Sequence, residues 1–250
     1  MTPLLGRSPR GGAVAPLVAG CVLVSAAAPA AAFDHSAYDK LLRRYVKGGR
    51  VAYARIKREA RDDLARYLAA VGKARLKGVG RDARLAFYLN AYNALVIKAV
   101  VDRYPIARVT AVRGFFDRLR YRVAGRRVTL DQLEKKIILP TFKDPRVHFA
   151  LVCAARSCPP LRARAYRGRT VRRVLELLAR RFINSRRGVR VAKAGRVAVS
   201  RIFQWYAKDF SRASGSVGRY LAKYHARHAA ALRRRTTFAY LPYSWALNKR

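Results

Sequence analysis

The sequence predicts an α+β domain in which a long buried central helix and further helices pack on a small antiparallel sheet. Three observations predict it. Residues 82–103 are apolar almost without break (LAFYLNAYNALVIKAVV), over a length that strands do not reach. Short alternating runs bounded by turn residues recur around 121–128 and again at 189–191 and 197–199. Long helical stretches separate these hairpins, an order that fits α+β better than repeated βαβ units.

Each element follows from local pattern. Tyr38, Leu41, Leu42 and Tyr45 repeat at helical spacing, as do Ile56, Leu64, Tyr67, Leu68 and Val71. Gly78-Val79-Gly80 interrupts the chain before the central helix, and Tyr104-Pro105 stops it. The first hairpin turns at Ala124-Gly125. Thr129 and Gln132 have capping-box spacing and open a helix that carries Glu134, with Pro140 expected to end it. Residues 146–153 (RVHFALVC) read as a buried strand, and Pro159-Pro160 stiffens the loop beyond. A helix over about 170–184, a hairpin, helices near 202–207 and 217–225, and a strand around 237–241 complete the chain.

The first 32 residues read as a cleavable export signal. Arg7 and Arg10 precede an apolar run (AVAPLVAGCVLV) and a small-residue stretch ending at Ala32. The strongly apolar part is about 12 residues, against the roughly 20 that a membrane span requires. An uncleaved N-terminal membrane anchor and a lipid anchor at Cys21, within Val18-Ala19-Gly20-Cys21, are the alternatives. Export to the periplasm or the extracellular space is therefore expected, with residues 33–250 forming a single domain and no transmembrane span left after cleavage.

The chain carries a net charge of +42, of which its first 32 residues supply two arginines and no acid. Such a charge makes an anionic envelope surface an expected neighbour. Specific nucleic-acid binding is not expected, because the basic residues are spread along the whole chain without a dense tail or a zinc-finger spacing. No metal or other cofactor is expected either, since two cysteines and one nearby histidine fall short of the four ligands zinc takes.

Three segments combine polar residues with an apolar setting. Asn90 and Asn93 interrupt the central helix; each amide either fixes local packing or faces a cleft and positions a ligand. His148, Cys153 and Cys158 form the second group. An oxidising compartment permits a Cys153–Cys158 disulfide. A free Cys158 returning across a turn to His148 would instead be an activated thiolate for acyl transfer. Alternation along a strand puts His148 and Cys153 on opposite faces. Glu134 is the third candidate, either a surface acid paired with arginine or the group that orients His148 in a triad.

Taken together, these segments resemble the family known as domain of unknown function 547. The resemblance rests on Asn90-Ala91-Tyr92-Asn93-Ala94-Leu95, on residues 130–134, and on residues 144–153. It continues through Ser157-Cys158-Pro159-Pro160-Leu161, Ile202-Phe203-Gln204-Trp205-Tyr206 with Asp209-Phe210, and Tyr243-Ser244-Trp245-Ala246-Leu247-Asn248. Members often carry a histidine after the glutamate, where this chain has Lys135. The family layout also looks like papain- or transglutaminase-type folds, with Asn90 and Asn93 where the nucleophilic cysteine would stand. Two functional readings follow. In one, a noncatalytic envelope module binds a small molecule or peptide in a cleft involving Asn90, Asn93 and Ser157. In the other, a thiol-dependent hydrolase or acyltransferase uses Cys158 as nucleophile, His148 as base and Glu134 as orienter.

Overall fold

The computed structural model describes residues 1–2, 32–192 and 196–250. Residues 3–31, Cys21 included, lie outside them, so the segment expected to be an export signal is not described apart from its two ends. The first described helices are α1 (Ser36–Tyr45), α2 (Tyr53–Glu59) and α3 (Arg61–Lys73), with a hairpin of β1 (Val46–Lys47) and β2 (Arg50–Val51) between α1 and α2. They pack around α4 (Arg81–Arg103), whose residues are buried on nearly every side. That all-round burial is why its sequence reads as continuously apolar rather than amphipathic.

The hairpin β3 (Tyr121–Val123) and β4 (Arg126–Val128) turns at Ala124-Gly125, both in the left-handed region. Thr129 then caps the next helix through a reciprocal box with Gln132. That helix is composite. It begins as α5 (Leu130–Gln132), widens into a π-helix (Leu133–Ile138), and closes as α6 (Leu139–Phe142). Pro140 therefore does not end the helix. In the wide turn the Leu139 N–H reaches back to the Glu134 carbonyl, and the chain passes the proline ring before stopping at Lys143 in the left-handed conformation.

A second correction concerns residues 146–153, which do not form a strand. Pro145–Phe149 is a 3-10 helix opened by the Asp144 carboxylate, which accepts from the Arg146 N–H at 2.9 Å. Proline at the first helical position favours that start. Beyond it the chain has no regular structure, and polar groups of its backbone meet a side chain instead of a neighbouring strand. Asn93 donates to the Ala150 carbonyl and accepts from the Val152 N–H, both at 2.9 Å.

The remainder comprises α7 (Val171–Ile183), β5 (Val189–Val191), β6 (Val197–Val199), α8 (Ile202–Trp205), α9 (Ala207–Ser214), α10 (Val217–Tyr224), α11 (Ala229–Arg233) and β7 (Ala239–Tyr240). The α+β class is as the sequence predicts, but among the described residues the strands make three small sheets. The largest is mixed: β5 and β6 pair antiparallel, and β7 joins β6 in parallel after the intervening helices carry the chain back. Among the described residues, no helix is long and apolar enough to cross a membrane.

Two hydrophobic clusters result. The larger surrounds α4, and the smaller joins Phe149, Phe182, Phe203, Phe210 and Tyr220. The 3-10 turn bridges them, since Val147 and Ala150 enter the first and Phe149 the second. His148 is held at that seam. The C-terminal tail then crosses the same region. Asn248 N–H donates to the Ala154 carbonyl, and Arg156 N–H to the Ala246 carbonyl, both at 2.8 Å. This stitching brings Tyr243 and Trp245 over the turn that carries both cysteines.

Candidate functional site

A pocket of about 150 Å³ opens at the seam, with Glu134, His148, both cysteines, Trp205, Tyr206, Tyr243 and Trp245 in its walls. Glu134 projects from the π turn and is 6% exposed. Both its oxygens accept from phenols: Tyr206 at 2.5 Å and Tyr92 at 3.1 Å. Burial raises both phenols above their ordinary range, with the Glu134 charge next in effect, so they remain donors. Lys135, next to Glu134, pairs with Asp131 at 2.7 Å.

His148 stacks on Tyr206 with ring centroids 3.8 Å apart, and its Nε2 meets Asp209 Oδ2 at 2.9 Å. That hydrogen bond is the largest reason the Asp209 carboxyl lies below the usual range, ahead of the Arg212 guanidinium that also pairs with it. The orienting acid of His148 is therefore Asp209, and Glu134 belongs to the tyrosine pair. The triad role expected of Glu134 is not what the fold builds.

Cys153 and Cys158 are joined in a disulfide. The thiolate–imidazole pair expected from Cys158 and His148 is accordingly not assembled, because the sulfur is bonded to Cys153 and the imidazole to Asp209. The Tyr243 hydroxyl lies 3.3 Å from Cys153 Sγ and 3.2 Å from Cys158 Sγ. A disulfide sulfur carries no hydrogen, so the phenol is the donor to both. Burial pushes this phenol up as well.

Asn90 and Asn93 do not reach the pocket. Both are buried, and the Asn90 amide exchanges two 2.9 Å bonds with the backbone of Tyr166. Each asparagine thus substitutes for a strand neighbour, pinning a segment that has none. Ser157 lies outside the pocket too, with its hydroxyl accepting from the Ser244 N–H at 2.8 Å.

Sequence reading missed Tyr92, Asp209 and the aromatic rim as site residues. One signal was available: the chain has 13 acids against 55 basic residues, so an acid beside apolar residues is rare enough to notice. Both of its tryptophans stand at the rim, stacked with centroids 5.9 Å apart. Trp205 is 46% exposed.

Fold and site together define an α+β domain with a small acid-and-aromatic pocket walled by a disulfide. The model of the family described as "Protein of unknown function, DUF547" matches residues 76–183, so the chain is similar to this family over that stretch. The match includes α4, Glu134, His148 and the disulfide; Trp205, Tyr206, Asp209, Tyr243 and Trp245 come from the chain beyond it. No curated protein and no solved structure matches the chain.

Proposed function

We propose that this is an exported basic protein whose pocket binds a small ligand without transforming it. The observation that carries the reading is the environment of Glu134. In a chain of net charge +42, this pocket concentrates Glu134 and Asp131 beneath six aromatic rings, and the single cation at its wall, Lys135, is already paired. A carboxylate fixed by two phenols is preorganised to accept further hydrogen bonds. The ligand it suits presents donors, an ammonium or a set of hydroxyls, together with a face that packs on Trp205 and Trp245. An anion inside the pocket is disfavoured by the same charges. The surrounding arginines instead favour an anionic envelope as the surface on which the protein works.

Tryptophan fluorescence tests this directly, because both tryptophans line the pocket. Titration with a panel of small amines, neutral sugars and carboxylates should give a saturable change with an amine or a sugar and none with a carboxylate. Glu134→Gln should weaken that binding at least ten-fold, about 1.4 kcal/mol, by removing the charge from the acceptor. Silence across amines and sugars, or equal affinity in the variant, would sink the reading.

A further inference from the structure

The Cys153–Cys158 bridge lines this pocket, with Cys153 half-buried and Cys158 buried in the core behind it. We propose that it is a thiol–disulfide exchange site, at which a small thiol entering the pocket attacks Cys153 Sγ and Cys158 Sγ departs as the thiolate. The assignment is independent of which ligand Glu134 binds.

The two sulfurs are not equivalent. Cys153 is half-buried, whereas Cys158 is 4% exposed, so an incoming thiolate meets Cys153 first. Cys158 Sγ has the better surroundings for negative charge. It accepts the Cys153 N–H at 3.1 Å and the Tyr243 hydroxyl at 3.2 Å. Cys158 also lines a second cavity, of about 290 Å³, with Arg50, Arg156 and Arg187 and no acid in its walls. Hydrogen-bond donors and guanidinium groups beside a sulfur lower its thiol pKa, and a lower leaving-group pKa speeds exchange.

The loop joining the cysteines adds a local reason to open. Ala154 holds φ at +60°, a conformation disfavoured for a residue with a Cβ by about 1 kcal/mol. Gly49, at φ +77°, packs so closely on Pro160 that a Cβ there would lie 2.4 Å from the proline Cβ. The β1–β2 turn thus backs the loop from behind, while the pocket leaves its front accessible.

The chemistry balances with a thiol as reductant. RS⁻ attacks Cys153 Sγ, the S–S bond breaks, and its electron pair remains on Cys158 Sγ. A mixed disulfide R–S–Sγ of Cys153 forms, and Cys158 later takes a proton from solvent. A second thiolate attacks the R sulfur of the mixed disulfide, releasing RSSR and leaving Cys153 as a thiolate that is then protonated. In sum, two thiols are oxidised and one disulfide is reduced.

The test compares the native protein with the same protein unfolded in urea. Each is incubated with cysteamine, whose ammonium suits a pocket holding Glu134 and Asp131, quenched by alkylation at timed intervals, and mapped by peptide mass spectrometry. Native exchange is expected to be at least as fast as in the unfolded chain, with the cysteamine adduct on Cys153. Native exchange more than ten-fold slower than in urea, or an adduct mainly on Cys158, overturns the assignment. Tyr243→Phe should slow native exchange about ten-fold and leave the rate in urea unchanged; an unchanged native rate removes Tyr243 from the leaving-group role. The wild-type comparison needs no variant, so a variant that misfolds does not shelter the proposal. In Cys158→Ser the free Cys153 thiolate should attack the disulfide cystamine, release cysteamine and keep the other half as a stable mixed disulfide, because no Cys158 thiolate is left to resolve it.

Discussion

Asn93 and Glu134 are both buried polar residues at the seam of the molecule, yet their partners differ in kind. Asn93 exchanges its amide bonds with the backbone of Ala150 and Val152, and Glu134 accepts from the side chains of Tyr92 and Tyr206. The first arrangement consumes the side chain in holding the fold. The second presents a carboxylate to a cavity with acceptor capacity to spare, since a carboxylate has about four lone-pair sites. Burial of a polar group therefore does not identify a site by itself; the identity of its partners separates scaffold from pocket.

The largest expected effect tests the scaffold side. Asn93→Leu should leave the Ala150 carbonyl and Val152 N–H without their amide partner, at a cost of about 2–5 kcal/mol in urea unfolding, because each buried orphan costs roughly 1–3 kcal/mol. Ligand-induced fluorescence of the folded fraction should be unaffected. A loss below about 0.5 kcal/mol would show that the amide is not structural and would break the comparison.

The histidines repeat the contrast. His35 contacts the Tyr67 hydroxyl at 2.8 Å and packs against Phe33 and Phe87, and burial lowers its pKa from 6.5 to about 4. The unfolded chain thus binds the extra proton between those values. Stability is complete above about pH 6.5 and falls as the pH drops toward 4, by about 3 kcal/mol at the limit. His225, also lowered by burial, contributes in the same direction. The difference between wild type and His35→Phe isolates the His35 share, and parallel unfolding curves over that range would refute it.

How much of this was legible depended on whether a residue's partner was near in sequence. The capping box, both longer hairpins and the central helix rest on local spacing and stand as the sequence predicts. Residues 146–153 misled because an apolar run of strand length does not reveal that its hydrogen bonds go to Asn93, 57 and 59 residues away in sequence. Pro140 misled because a π turn can carry a helix past a proline. The site was half legible. Glu134 and His148 stood out as polar residues among apolar ones, but their partners, Tyr206 and Asp209, lie 72 and 61 residues further on. No periodicity joins positions so far apart.

Asp209 offers a smaller test on the pocket side. Its carboxyl is held below the usual range chiefly by the His148 hydrogen bond. Its stabilising contribution is therefore present above the unfolded value near 3.9 and is lost as the pH falls through the lower, folded value. Asp209→Asn should cost about 1–2 kcal/mol at neutral pH and shrink the loss of stability below pH 4. Wild-type and variant unfolding free energies measured from pH 7 to pH 2 check this. Curves that keep a constant separation at every pH would deny the linkage.

The smallest expected effect on stability is that of Trp205, on a short helix that faces both ways. On α8, Phe203 is 1% exposed and packs on Phe149 and Phe210, while two residues later Trp205 is 46% exposed and leans on Tyr243 and Trp245. Phe203→Ala should cost about 3–5 kcal/mol, as core truncations do. Trp205→Ala should cost under about 1 kcal/mol, because so much of the ring already faces water. If the rim exists to meet a ligand, the tryptophan variant should nevertheless lose binding several-fold, read from the remaining Trp245 fluorescence. A large chromophore kept at the surface with little stability at stake is otherwise difficult to account for by packing alone. Loss of binding without loss of stability would assign its exposed face to the ligand, and equal binding would return it to the wall.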